Sequence, residues 1–355
     1  MPHGILFRGN AEETIRKAVL ATHYIKGIVS LPANLFYGTG IPACLVFIDK
    51  ENAETREGIF FIDASNGFKK DGNKNRLREQ DIEKIVRVYT AQEEIKGYSR
   101  LVSYTEILEA NDGNMNVPRY IQRIDDSLPQ NIAAHLQGGI PAHDIATLER
   151  LWAVSADLRD AIFACTDPEH DIYRLAIPSD EIEDVFERDL KLQAEKHKEG
   201  TDAFEIWRDE VRSRLLNISE DTDPKAFIRE LGSLILEVYA DSLFLDHYDI
   251  YDCLMNYWNE KLQDDVYAIK AYGYESGREI EYIYAQKKQK DDNGEEILVD
   301  DKTKVKSFDG ALIPRASVCI LLMSSLSSLH WKKSEIRSQQ IWKKCERKSP
   351  AMTVC

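Results

Sequence analysis

The sequence predicts an α/β fold, the later part of a sheet followed by a mainly helical domain. Three observations lead there. Residues 1–120 hold short runs of Ile, Val and Phe bounded by Pro, Gly, Asp and Asn, with helix-periodic stretches between them, the alternation of an α/β sheet. That pattern opens on a helix rather than on the first strands of a sheet, so the sheet reads as incomplete. Residues 121–315 turn acidic and helical, and residues 316–355 depart again as an atypical, Ser-rich basic tail.

The elements follow in order. Residues 11–23 (AEETIRKAVLATH) place Ile15, Val19 and Ala18 on one side, which predicts a helix with that face inward. The apolar runs at 25–31, 43–48 and 59–62 suit buried strands. Residues 63–76 are polar and rich in Gly and Asn, hence a loop. Ile82, Ile85, Val86 and Tyr89 recur at helical spacing, and Ser103 to Glu106 form a capping box ahead of Ile107 and Leu108. Asn116 to Tyr120 read as extended, because a residue before proline is pushed out of the helical region. Ser179 caps a helix reaching His197, and Asp223-Pro224 starts another, since proline fits the first helical turn. Val238, Leu243, Leu245, Leu254 and Trp258 supply core. The aromatic cluster Tyr248, Tyr251, Tyr257, Trp258 and Tyr267 is assigned to a helix-bundle core rather than to a base-stacking surface. Residues 286–306 are charged and poor in apolar residues, a solvated loop or hairpin.

A chain of 355 residues can bury two cores. No run of about 18 apolar residues occurs and the start lacks the pattern of a secretory signal, so a cytoplasmic chain with no membrane partner is expected. Six cysteines at 44, 165, 253, 319, 345 and 355 form no Cys-x-x-Cys pair, and the eight histidines offer no metal-binding spacing; no metal site is expected. The net charge of −15 opposes a freestanding nucleic-acid binder. Its distribution is uneven: residues 1–120 are neutral, 121–315 carry −20 and 316–355 carry +5. Phosphate would repel the middle region unless a basic partner lies between them.

Several segments resemble type I modification subunits, in family order. They are residues 2–12 (PHGILFRGNAE), 31–44 (LPANLFYGTGIPAC), 61–65 (FIDAS), 75–78 (NRLR) leading to Asp81-Ile82, and 114–120 (NMNVPRY). The acidic half continues the pattern with 248–252 (YDIYD), Tyr257-Trp258, 264–267 (DDVY) and 308–315 (FDGALIPR). The chain is thereby identified as similar to the C-terminal part of the modification (methyltransferase) subunit of a type I DNA restriction-modification system. The resemblance implies a Rossmann-like, S-adenosylmethionine-dependent methyltransferase sheet in residues 1–120, the C-terminal portion of an N6-adenine DNA methylase domain. It also implies a mainly helical domain for subunit contacts in 121–315. Family members are adenine-specific DNA methyltransferases that act on double-stranded DNA beside a specificity subunit and a restriction subunit.

Methyl transfer to an exocyclic amine needs an Asp/Asn-Pro-Pro-aromatic tetrapeptide, whose oxygens accept from the amine while the aromatic stacks on the flipped base. No such tetrapeptide occurs, and Asn116-Val117-Pro118 does not satisfy it. The glycine-rich cofactor turn is also absent. In the family both lie upstream of the position matching Met1. No catalytic or cofactor-binding residue is therefore assigned, most of the S-adenosylmethionine site is expected upstream, and the chain alone is expected to be inactive. The resemblance places residues 35–40 (LFYGTG) at the edge of the catalytic cleft. There Phe36 or Tyr37 would stack on the extruded adenine, or both would merely close a hairpin against the sheet. Arg8, Arg76, Arg78 and Arg119 fall inside family motifs, as DNA phosphate or subunit contacts or as plain surface ion pairs.

Two function classes remain. One is part of an adenine-N6 methyltransferase subunit; the other is a non-catalytic docking module that binds the specificity subunit. A dehydrogenase-like nucleotide enzyme fails, because no Gly-x-Gly-x-x-Gly follows a strand. From about Ser317 the resemblance stops and the charge flips, which leads us to expect a shifted reading frame in the tail.

Overall fold

Apolar runs become neighbouring strands. The computed structural model describes residues 1–121, 134, 138–275, 281–290 and 296–309. It divides into two units, Met1–Ile132 and Ala133–Cys355. The first contains the helices Ala11–Leu20 (α1) and Glu79–Ala91 (α2). Its strands are Ile25–Ser30 (β1), Cys44–Ile48 (β2), Gly58–Asp63 (β3), Lys69–Asp71 (β4), Lys74–Arg76 (β5) and Ser99–Ser103 (β6). Four of these form one mixed sheet in the order β2-β1-β3-β6. β1 runs parallel to β3, β2 is antiparallel to β1, and β6 is antiparallel to β3.

β3 is buried at all its positions, as a continuous apolar strand covered on both faces should be. Alternation sends Ile28, Ile59 and Phe61 to one face, where they meet Leu6, Leu20, Ile107 and Val117. Val29, Phe60 and Ile62 point the other way, onto Ile85 and Val88 of α2. At Gly58 the two strands leave no room for a side chain, since a Cβ there would lie 2.2 Å from the Val102 carbonyl oxygen of β6.

Four local expectations need correction here. α1 does form, but Ile15 is 64% exposed and Ala18 is also exposed; Arg16 and Leu20 are the buried positions. Residues 63–76 are not all loop: Lys69–Asp71 and Lys74–Arg76 pair as a hairpin, with Gly72 at φ 58° in its turn. Val117–Arg119 is a 3-10 turn, and only Asn116 before it is extended. Here burial of Val117 and Tyr120 outweighs the steric preference of a residue before proline. The capping box at Ser103 is half made: its Oγ accepts from the Glu106 N–H at 3.1 Å, opening a short π-helical turn.

The second unit is mainly helical, with helices at Ala203–Leu216, Pro224–Val238, His247–Tyr257 and Gln263–Tyr272. Phe227, Leu231 and Ile235 repeat every four residues on the Pro224 helix and pack with Trp207, Tyr239, Leu254 and Trp258. The aromatic cluster is core: Tyr248, Tyr251, Tyr257 and Trp258 are buried, while Tyr267 stays exposed. The sequence reading missed a three-stranded antiparallel sheet of Ile140–Pro141 (β7), Phe163–Asp167 (β8) and Ile172–Leu175 (β9), in the order β7-β9-β8. The helix expected from Ser179 to His197 breaks at Asp189, whose carboxylate accepts from the Leu192 N–H (2.8 Å) and caps a new helix, Leu190–His197. Residues 281–290 and 296–309 form a two-stranded hairpin. The basic tail and residues 310–315 lie outside the described residues.

Candidate functional site

The segment 31–43 joins β1 to β2 and carries both predicted aromatics. Its stems are closed by the Leu31 N–H donating to the Ala43 carbonyl at 2.9 Å. Leu31 and Pro32 are buried, after which the chain rises to the surface. Phe36 is 50% exposed and Tyr37 95%. Asn34 (φ 56°) and Gly38 (φ 80°) take left-handed backbone and turn the loop on either side of the rings.

The β4–β5 hairpin holds this loop in place. The Asn75 backbone N–H donates to the Asn34 carbonyl at 3.0 Å and its side-chain amide to the Ala33 carbonyl at 2.7 Å. The Lys74 ammonium donates to the Phe36 carbonyl at 2.9 Å. Three carbonyls in four residues are thus tied down while Tyr37 stands exposed. A ligand stacking on a loop already fixed has less ordering entropy to overcome.

The four predicted arginines are not one cluster. Arg76 follows Asn75 on β5, exposed, beside the aromatic loop. Arg78 is committed to Asp81: its Nε and Nη2 donate to the two carboxylate oxygens at 2.9 and 2.8 Å, closing a capping box on α2. Arg8 is exposed, and its backbone carbonyl accepts from Arg16. Arg119 is exposed beside Tyr120. Burial, with the Glu106 charge adding, pushes the Tyr120 hydroxyl up to about 12. Among the described residues Arg8, Arg76 and Arg119 make no ion pair. Sequence reasoning missed Lys69, Lys74 and Asn75, although Asp71-Gly72 between lysines is a hairpin signal.

Ligands of open α/β sheets bind beyond the carboxyl ends of parallel strands. Those ends carry buried Ser30 on β1 and buried Asp63 on β3. His3 lies near them, its backbone N–H donating to the Pro42 carbonyl at 3.0 Å, and its Nε2 is buried without a hydrogen-bond partner. Burial holds its pKa below the usual imidazole value, with the Asp63 charge opposing. S-adenosylmethionine does not fit these residues. β1 leads into Leu31-Pro32 and β3 into Ala64-Ser65, and neither begins a glycine-rich turn into a helix that could cradle the methionine part.

Sequence comparison adds a family match for part of the chain. Residues 1–127 match the N-6 DNA Methylase family. The resemblance read from the motifs is borne out over this first unit. The segment is similar to the type I restriction enzyme MjaVII methylase subunit of Methanocaldococcus jannaschii, 41% identical over 127 residues, 35% of this chain and 22% of that protein. It is also similar to the MpnII methylase subunit of Mycoplasma pneumoniae, 36% identical over 118 residues, 33% of this chain and 21% of that protein. The chain spans about a fifth of the length of these relatives. A crystal structure of the methyltransferase subunit of a type I restriction-modification system from Streptococcus thermophilus is 45% identical, covering 34% of this chain and 25% of that one, with a TM-score of 0.32. Among the described residues no helix is long and apolar enough to cross a membrane.

Proposed function

We propose that this chain supplies the target-base end of an adenine-N6 DNA methyltransferase subunit of a type I restriction-modification system. Loop 31–43 presents Phe36 and Tyr37 to the adenine extruded from the duplex, where one ring stacks on the base. The exposure of Tyr37, on a loop whose carbonyls Asn75 and Lys74 hold, carries this reading. An exposed ring on fixed backbone is what a stacking contact needs, and such a contact is worth about 1–3 kcal/mol per base. Arg8, Arg76 and Arg119 face DNA phosphates or partner subunits, and Arg78 acts indirectly, by fixing the start of α2. S-adenosylmethionine and the Asn-Pro-Pro-aromatic tetrapeptide belong to another part of the assembled enzyme, so this chain by itself transfers no methyl group. The helical unit with its acidic surface serves subunit contacts, to the specificity subunit that reads the DNA and to the restriction subunit.

The test has two arms. Full-length methylase carrying this sequence, with Phe36→Ala, Tyr37→Ala or both, is assayed for methylation of duplex DNA with labelled S-adenosylmethionine. Loss of stacking should slow methylation by roughly one to two orders of magnitude in at least one single variant, with little change in melting temperature. Equal activity in both single variants and the double variant eliminates the stacking role. In the second arm, incorporation by this chain alone, retained after purification to homogeneity, overturns the assignment of the chemistry elsewhere.

A further inference from the structure

Several cations of the first unit are neutralised by carboxylates. Lys17 pairs with Glu13 and Asp112, Lys26 and Arg56 with Asp49, Arg78 with Asp81 and Arg100 with Glu106. Lys50 and Lys84 sit over the rings of Tyr24 and Tyr98. The β4–β5 hairpin brings several cations together on two short strands. Lys69, Lys70 and Arg76 are exposed and make no ion pair among the described residues, and the Lys74 ammonium goes to the Phe36 carbonyl. Lys69 lies directly opposite Arg76, with Asp71 opposite Lys74 at the turn and Lys70 opposite Asn75 on the other face. Side chains directly opposite on an antiparallel pair have Cβ atoms about 5 Å apart, and like charges there destabilise the hairpin.

That repulsion falls on a hairpin whose strands are only three residues long. An anion between the two side chains removes it, and the separation suits one tetrahedral group gripped by an ammonium and a guanidinium. We infer that Lys69 and Arg76 form a clamp for one DNA phosphate, next to the aromatic loop. This rests on the reading of loop 31–43 as the base-stacking element. The hairpin then has two tasks: Asn75 and Lys74 hold the loop that meets the base, while Lys69 and Arg76 hold the strand from which that base is drawn. A phosphate contact fixes register without reading sequence, which suits a subunit whose partner reads the bases.

The experiment uses the whole 355-residue chain and a fluorescein-labelled duplex of about 30 base pairs, with dissociation constants measured by anisotropy between 50 and 200 mM salt. Each phosphate neutralised contributes about 0.9 to the slope of log affinity against log salt. The double variant Lys69→Gln/Arg76→Gln should lose about one unit of slope, so that its affinity falls about fourfold less than wild type across that range. Lys26→Gln/Lys96→Gln removes the same charge elsewhere on the unit and should keep the wild-type slope. Hydrogen exchange at the Asn75 amide, bonded to Asn34, verifies that the hairpin of the clamp variant still folds and docks. A clamp variant that retains the wild-type slope overturns the clamp and leaves the base-stacking reading in place. Equal loss in the two double variants also overturns it, by showing only bulk charge. A wild-type chain that binds no duplex overturns the clamp and the DNA reading together.

Discussion

Arg16 is the residue whose removal should disturb the first unit most for its size. It is 6% exposed on α1, and its guanidinium faces no carboxylate among the described residues. Instead it donates to three carbonyls that no local structure satisfies: Nε to Gly113 at 2.8 Å, and Nη1 to Ile5 at 3.2 Å and Arg8 at 2.7 Å. Arg16→Met keeps much of the length and all of the apolar stem while deleting every donor. A hydrogen bond from a charged group contributes about 1.5–3 kcal/mol, and a buried carbonyl left unpaired costs about 1–3 kcal/mol. Against this, methionine no longer requires a charge to be kept out of water. The balance is a loss of about 3 kcal/mol, which lowers the melting temperature of a unit this size by roughly 10 °C. Differential scanning calorimetry gives the shift. Hydrogen exchange by mass spectrometry should show the loosening in the peptides around Ile5–Arg8 and Gly113. Arg16→Lys, with one ammonium for three acceptors on two segments, should recover only part of the loss. A methionine variant melting within about 2 °C of wild type would refute the claim that these carbonyls depend on Arg16.

Two further outcomes follow from the packing. Gly58→Ala should destabilise by about 3 kcal/mol, because its Cβ meets backbone of β6 at Val102, which has no flexible end to move aside; urea unfolding measures it, and a loss under 1 kcal/mol contradicts the strand spacing. Glu199 is buried in the helical unit and its carboxylate accepts from the N–H groups of Leu243 and Phe244, yet burial outweighs these bonds and raises its pKa. A carboxyl that holds its proton more tightly folded than unfolded favours the fold most below the unfolded value, and that advantage is lost as pH rises through the folded value. The stability of wild type relative to Glu199→Gln should therefore fall as pH climbs from about 4.5, and a flat difference in unfolding free energy between pH 4 and 7 would contradict it.

Much of the first unit was legible because burial on both faces writes itself as continuous apolar runs. The runs at 25–31, 43–48 and 59–62 became β1, β2 and β3 with shifts of a residue at their ends. Periodicity served helices less evenly. α1 has apolar residues at helical spacing, but the side it buries is set by the arginine that reaches the 5–8 and 113 carbonyls, so Ile15 was assigned to the wrong face. Asn75 opens a family-like motif, but nothing local signals what it bonds. An asparagine between charged residues in a polar segment looks like loop, and its importance lies in carbonyls some forty residues earlier. The small sheet of β7, β8 and β9 escaped because β8 and β9 are short and half-exposed, with Cys, Thr, Arg and Asp among their residues.

The sequence by itself determined which segments could be buried, the acidic character of the helical part, and the aromatic pair in a glycine-containing loop. These depend on composition and spacing along the chain, which local chemistry reads directly. Only the tertiary structure decided that Phe36 and Tyr37 stand exposed, that Arg78 is tied to Asp81, and that Lys69 and Arg76 face each other beside the loop. Those facts depend on register and on hydrogen bonds between residues far apart in the chain. A one-residue slip would turn every strand side chain to the opposite face while leaving the composition unchanged.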